Sequence, residues 1–301
     1  MIYVIDTQSK KNVSMSTLDS KQYKEGQRQG WDSVANGWQK WWKITEIAAE
    51  KVSRRLIELA EIKRGSRVLD IATGIGEPAI TAAKQVGDSG HVLATDISSQ
   101  MLSIAKQRAI SLGLERVIEF KVGDAEAIDL PASTFDAALC RFGLMFLPDL
   151  RTGLSNIYRS LVDGGRLAAA VWASSDRVPF IALALDRATK ETKGPPLPPA
   201  GAPGPFSLSN ENMLMNSLIE SGFKDVIIER MDVTFNFDSA EVYTSFVYET
   251  AAPVQAMLAN QQQERKEEIL KAISESAREY AENDTANIRM NNEAICVVGR
   301  K

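Results

Sequence analysis

Residues Val68 to Ala79 read VLDIATGIGEPA. Val68, Leu69 and Ile71 favour a strand, and Gly74 and Gly76 stand one residue apart. Pro78 fits the first turn of a helix, where its missing N–H costs nothing. A buried strand, a tight turn and a helix start in that order make a cradle for a ligand against backbone N–H groups. A Gly-x-Gly pair also serves plain turns and helix–strand packing, so the surrounding residues have to decide.

Downstream, strand and helix patterns alternate. HVLATD (91–96) is a second strand. Ser98 is placed to cap a helix on which Met101, Ala105, Ala109 and Leu112 share a face, with Gly113 as terminator. VIEFKVGD and FDAALCRF are the third and fourth strands. LRTGLSNIYRSLVDGG (150–165) is a helix closed by Gly164 and Gly165, and RLAAAVWA is the fifth strand. Such alternation with apolar strands predicts an α/β fold, with a mainly parallel sheet covered by helices on both faces. DVIIERMDVTFNF and ANIRMNNEAICVVGR add an antiparallel C-terminal pair, making seven strands.

Upstream, residues 1 to about 15 lack periodicity, and Ser20 to Lys63 is helical, with Ile47, Val52, Leu56 and Leu59 on an apolar face. Residues 1–63 are therefore expected to form an N-terminal helical cap on a domain spanning 64–301. Six of the eleven prolines fall in GPPLPPAGAPGPF (194–206), inside an expected lid or substrate insertion at about 174–208. A helical insertion, broken near Pro253, is expected at about 239–283.

Net charge is −4 with the charges interspersed, which speaks against nucleic acid as a partner. Cys140 and Cys296 sit in apolar runs and read as buried thiols in a reducing compartment. Neither has the spacing of a metal site. No apolar run reaches the roughly 18–20 residues that span a bilayer, and no leader pattern opens the chain. The expectation is a cytoplasmic protein without a transmembrane segment, with a homo-oligomer left open.

The turn points to an adenosine ligand. Gly74 to Ala79 satisfies G-x-G-x-x-G/A, and Asp96 follows Gly76 by twenty residues, which admits a nicotinamide or flavin dinucleotide and an NAD(P)-dependent oxidoreductase. Charge separates the alternatives. A dinucleotide would set a pyrophosphate against Asp70 and Glu77, which repel it at short range. S-adenosylmethionine has no phosphate; it carries an ammonium and a sulfonium, and Asp70 suits the ammonium. Asp96 is placed to accept from the ribose hydroxyls, Ile97 to pack on adenine, and Asp124 to accept from the adenine amino group.

Taken together, VLDIATGIGEPA, ATDISSQML, GDAEAIDLPASTFD, RFGLMFLPD and LVDGGRLAAAVW resemble class I S-adenosylmethionine-dependent methyltransferases, and within them the ubiquinone/menaquinone-biosynthesis C-methyltransferase group and its small-molecule relatives. The likeness covers roughly Arg64 to Ala173. It implies a Rossmann-like fold and S-adenosylmethionine as methyl donor, leaving S-adenosylhomocysteine. It also implies cofactor contacts from Gly74, Ile75, Gly76, Asp96, the Asp124–Ala125 pair and the residue after strand four. Asp70, Ala72, Ile97, Met101 and Trp38 complete the expected cofactor set. After strand four the quinone enzymes usually carry a small polar residue; here it is Arg141, expected either to meet an acidic or phenolate group on the acceptor or to form a structural salt bridge.

Trp31, Trp38, Trp41 and Trp42 read equally as core packing and as an aromatic lid over a sulfonium. His91, the only histidine, starts a strand away from the ligand edge and is a poor base. Methylation of an electron-rich carbon needs little beyond alignment, so carbon is slightly favoured over oxygen on a small, largely apolar acceptor. No catalytic residue is singled out; Tyr23, Tyr243 and Tyr248 are candidate bases. A silent protein that binds the cofactor without transferring methyl is the remaining alternative.

Overall fold

The apolar run that opens the quoted stretch becomes β1 (Arg67–Ile71), with four of its five residues buried between two parallel neighbours. In this computed structural model residues 17–194, 202–282 and 285–301 are described. The other strands are β2 (His91–Asp96), β3 (Ile118–Val122), β4 (Phe135–Arg141), β5 (Leu161–Trp172), β6 (Lys224–Phe237) and β7 (Ile288–Arg300). They form one sheet in the order β3-β2-β1-β4-β5-β7-β6. β1 to β5 pair in parallel, and β7 runs antiparallel to both β5 and β6. This is the seven-stranded, mainly parallel sheet with an antiparallel C-terminal pair that the periodicity predicts.

Three helices connect the first strands: α2 (Ala79–Val86), α3 (Ser99–Ser111) and α4 (Leu150–Ser160), preceded by α1 (Thr17–Leu59). Ser98 caps α3 as expected, its side chain accepting from the Met101 N–H, and Gly87 ends α2 with φ 65°. Pro78 stands just before α2 rather than inside it. α4 stops at Ser160, earlier than expected, because Leu161 already pairs with Phe135; Gly164 and Gly165 lie within β5. Sheet pairing outweighs a helical periodicity that the sequence alone continues.

After β5 come α5 (Pro179–Thr192) and α6 (Glu211–Glu220). Between β6 and β7 stand α7 (Ala240–Thr250), α8 (Ala252–Ala259) and α9 (Gln263–Ala277). The break between α7 and α8 falls at Ala251, with Pro253 in the first turn of α8. Much of the proline-rich stretch, and residues 1 to about 15, lie outside the described residues.

α1, 43 residues long, binds the two ends of the molecule together. Its C-terminal half turns Ala48, Val52 and Leu56 into the core, whereas Ile47 is 73% exposed. Residues four apart share a face and Ile47 is rotated off it, so its expected place on the apolar face is corrected. α1 packs on α3 at one side and on α7, α8 and β6 at the other. At Gly37 the helices approach so closely that a β-carbon would run into the Glu249 backbone carbonyl, whereas one at Gly26 would meet nothing.

Two substitutions with the same intrinsic gain, about 1 kcal/mol for Gly to Ala in a helix, should therefore part company. Gly26→Ala should raise the denaturation midpoint slightly. Gly37→Ala should lower it despite better helix propensity, because α1 must move off α7. Parallel denaturant titrations check the opposite signs.

Candidate functional site

β2 and β3 lie on one side of β1, and β4 and β5 on the other, so the connections leave in opposite directions at the carboxyl ends of β1 and β4, the switch point at which such sheets take their ligands. The backbone there is unusual. Ala72 (φ 57°) and Phe142 (φ 61°), each just past its strand, are left-handed without being glycine. Such residues cost of order 1–3 kcal/mol and persist only where the surroundings hold them. Gly143 sits so close to Ala72 that a β-carbon would meet the Ala72 Cβ and Cys140 Sγ.

The two glycines of the turn do different work. At Gly74 (φ +57°) a β-carbon would point into open space, so the turn presents bare backbone outward. At Gly76 (φ +109°) it would press on Ile80 and Ala105, so this glycine lets α2 and α3 close on each other.

Asp70 has no exposed surface. Its Oδ2 accepts from the Ala79 N–H at 2.9 Å, satisfying one of the free donors that open α2. Its Oδ1 and the Thr73 hydroxyl, both buried, make no well-aligned hydrogen bond among the described residues, although the hydroxyl is close enough to act on the carboxyl. Burial pushes the Asp70 carboxyl up to about 7, against the pull of Thr73, the Arg141 charge and the Ala79 N–H. Asp96 accepts from the Gly74 N–H (2.8 Å) and the Ser98 N–H (2.9 Å), and so braces the turn that it was expected to help as a ribose acceptor. Each oxygen keeps further acceptor capacity. Burial raises Asp96 to about 6, opposed by those N–H groups and assisted by the negative charge of Asp32.

The remaining expected residues fall around this core. Ile75 and Met101, 7% and 2% exposed, pack in one cluster with Val34 and Ala35 of α1 and with the Trp31, Trp38 and Trp42 rings. Trp38 also donates its indole N–H to the Thr250 carbonyl at 3.0 Å, so its polar edge ties α1 to α7 while its ring covers the turn. Ile97 and Ala125 are half-buried. Asp124 accepts from the Glu126 N–H at 2.9 Å and faces Lys24 of α1, whose Nζ lies 2.7 Å from Asp124 Oδ2. Arg141 is half-buried at the end of β4 and donates to Ser53 Oγ (2.7 Å) and the Ala49 carbonyl (3.5 Å), both on α1.

Several participants escape motif reading. Arg108 of α3 donates to the Ile75 carbonyl at 2.7 Å, pairs with Glu46 and lies over the Trp42 ring at 4.9 Å, clamping the turn from behind. Asp32 accepts from Ser98 Oγ at 2.6 Å. Lys24, Arg28 and Asp32 are four residues apart, and that polar stripe on one helical face is the signal that marks them. On the other side, Phe142 stacks on Trp172 with ring centroids 3.9 Å apart, Trp172 meets Phe180 edge-on, and Phe180 stacks on Phe235 at 4.1 Å.

The candidate bases divide. Tyr243 is fully buried and donates to the Phe180 carbonyl at 2.9 Å, and burial pushes its phenol up. Burial pushes Tyr23 up as well. Neither gives up a proton readily near neutrality. Tyr248 lines a groove of about 330 Å³ between α7 and α9. His91 begins β2, at the opposite end from the turn, with Nε2 3.5 Å from Glu119.

Comparison with known proteins decides the family. A model of the ubiE/COQ5 methyltransferase family matches residues 19–191, more than half the chain, from α1 through α5. The chain belongs to the ubiE/COQ5 methyltransferase family. A relative named ubiquinone/menaquinone biosynthesis C-methyltransferase UbiE, from Enterobacter sp. (strain 638), is 35% identical over 114 residues, 38% of this chain and 45% of that protein. The chain thus spans less than half of that relative's length. Among solved structures, a Bacillus halodurans C-125 protein has TM-score 0.55 and 22% identity over 83% of this chain and 98% of its own. The [4+2]-cyclase SpnF has TM-score 0.51 and 21% identity over 84% and 81%. These two share the fold of the ubiE/COQ5 chain. β6, β7 and α7–α9 lie outside the family match.

Two carboxyls raised by burial bind more protons in the folded than in the unfolded state between about pH 4 and 7, so ionisation there erodes stability. Their stabilising effect is complete below the unfolded pKa and lost as pH rises through about 6 and 7. Asp70→Asn should flatten much of this decline and stabilise the ligand-free protein at pH 8 by about 1–3 kcal/mol. Denaturant midpoints at pH 5 and pH 8 check it.

Proposed function

We propose that this chain is an S-adenosylmethionine-dependent methyltransferase acting on a small, largely apolar acceptor, at carbon rather than oxygen. The observation that carries the reading is the fully buried Asp70, with one carboxylate oxygen that makes no well-aligned hydrogen bond, beside a glycine turn with open space in front of it. A pyrophosphate is repelled there by Asp70 and by the buried Glu77, whereas an ammonium completes the site. Gly74 supplies bare backbone, Asp96 the ribose acceptor, Ile97 and Met101 apolar surface for adenine, and Asp124 with Ala125 the polar edge.

When bound, the cofactor supplies a methyl group on a sulfonium. The chain's own part is to hold, orient and dry the site. Ala72, Ile75 and Gly76 fix the turn, and Trp38 with its neighbours covers it. Bringing nucleophile and methyl into line can supply roughly 7–11 kcal/mol without a base. Phe142 and Trp172 give the acceptor side an apolar wall. The helices after β5 and β6 are read as insertions closing that side, at about 174–208 and 239–283, with residues 1–63 as the cap. The carbon preference rests on the relatives' name, C-methyltransferase, and on the absence of a suitably placed histidine.

Calorimetry should show S-adenosylhomocysteine binding and none by NAD. Asp96→Ala should weaken binding about 10–100-fold, through the loss of charge-assisted hydrogen bonds and of the brace on Gly74. Tighter binding of NAD would revive the oxidoreductase reading. For the acceptor, the enzyme and methyl-labelled cofactor are incubated with cell extract. A labelled small molecule with a new carbon–methyl bond is expected; label in protein or nucleic acid contradicts the reading.

A further inference from the structure

β6 is the outer strand of the sheet and pairs only with β7. It is the longest strand of the molecule, running from Lys224 to Phe237, and contains no proline. Along its outer side the backbone makes no hydrogen bond to the backbone of any other described element. A long edge of this kind is a template for another strand. It also lies outside the stretch shared with the family.

Apolar surface gathers along the same edge. Six large hydrophobic side chains are exposed among the described residues, and three of them border β6. Ile227 stands in the strand at 57% exposure, Ile219 lies on α6, which packs against β6, and Ile47 shares a groove with Asp232, Thr234 and Asn236. Single exposed apolar side chains are ordinary, but several along one unpaired edge mark a surface that another molecule covers.

The charges on β6 identify that molecule. Residues directly opposite in antiparallel strands share a face, so two copies of one strand related by a two-fold axis pair in a register centred on a single residue. Centring on Asp225, Ile227, Glu229, Arg230 or Asp232 sets like charges against each other. Two registers do the reverse. Centring on Ile228 joins Lys224 to Asp232 over residues 224–232, and centring on Met231 joins Arg230 to Asp232 over the longer stretch 225–237. Both groups have capacity to spare. Asp232 is exposed, stands across from the like charge of Glu293 on β7, and has no ion pair among the described residues, although Lys51 and Arg289 line its groove. Arg230 donates through Nε to Glu211 and through Nη1 to Glu293, which leaves Nη2 unused among the described residues.

We infer that two copies of this chain associate through their β6 edges, antiparallel about a two-fold axis at Met231, so that the sheet of one copy continues into the sheet of the other. The two Arg230–Asp232 pairs fix the register, and Ile227 of each copy is covered beside the Phe235 position of the other. The inference stands independently of the proposed activity.

Sedimentation of the full chain over a range of concentrations tests it, with circular dichroism to confirm folding. Wild type should dimerise in a concentration-dependent way. Asp232→Arg, which removes no ion pair within the chain, and Arg230→Asp should each weaken dimerisation about 10–100-fold, because each turns two attractions into two repulsions. Lys224→Asp should change it by less than about threefold. Mixing Asp232→Arg with Arg230→Asp should restore the dimer, since their edges are complementary; a loss caused by misfolding would not recover on mixing. A monomeric wild type would overturn the inference. A dimer that Asp232→Arg leaves intact, or singles that fail to recover on mixing, would overturn it by placing the contact elsewhere. Loss in Lys224→Asp with none in Arg230→Asp would overturn the Met231 register in favour of the one centred on Ile228.

Discussion

A carboxylate with no exposed surface stands at the end of β1, tied through one oxygen to the N–H that opens α2. Much of the site is arranged around that bond. It fixes the length of the turn from Ile71 to Ala79, and with it the direction in which Gly74 presents its backbone. It also places an acid where burial resists ionisation, so the folded chain carries a latent negative charge beside an open cradle. A buried charge without full compensation is costly, and such a group makes the end of β1 a candidate functional site.

α1 completes the arrangement from above. Its N-terminal half reaches Asp124 through Lys24, Ser98 through Asp32 and the turn itself through Trp31 and Trp38. Its C-terminal half enters the core through Val52 and Leu56 and meets Arg141 through Ser53. A single helix thus touches each segment expected to meet the ligand, and Arg108 locks helix and turn together. Coupling between α1 and the glycine turn follows from these contacts.

Much of this was legible in the sequence. The seven strands, mainly parallel with an antiparallel C-terminal pair, follow from apolar runs separated by turn residues, and the strand–turn–helix unit follows from Asp70, Gly74 and Gly76 standing in one short stretch. What the sequence hid were contacts between distant segments. Nothing in the spacing of LVDGG says that Leu161 pairs with Phe135 and ends α4 early. Nothing near Arg108 announces that it grips the Ile75 carbonyl. Asp96 and Asp124 were legible as carboxylates at the ends of β2 and β3, but not that backbone N–H groups and Lys24 engage them. Trp38 illustrates the same limit: its ring and its N–H serve two different neighbours, α7 being more than two hundred residues away.

The central claim is that Asp70 selects a cationic ligand over an anionic one, and proton linkage tests it. An ammonium beside Asp70 stabilises the ionised carboxylate, so binding must release a proton while the free carboxyl, at about 7, is still protonated. The measurement is the affinity for S-adenosylhomocysteine from pH 5.5 to 8, in wild type and Asp70→Asn. Affinity in wild type should climb with pH and level off above about 7, and the climb should be clearly shallower in Asp70→Asn. An affinity that is flat or falls with pH in wild type, or a slope that Asp70→Asn leaves intact, would contradict the account.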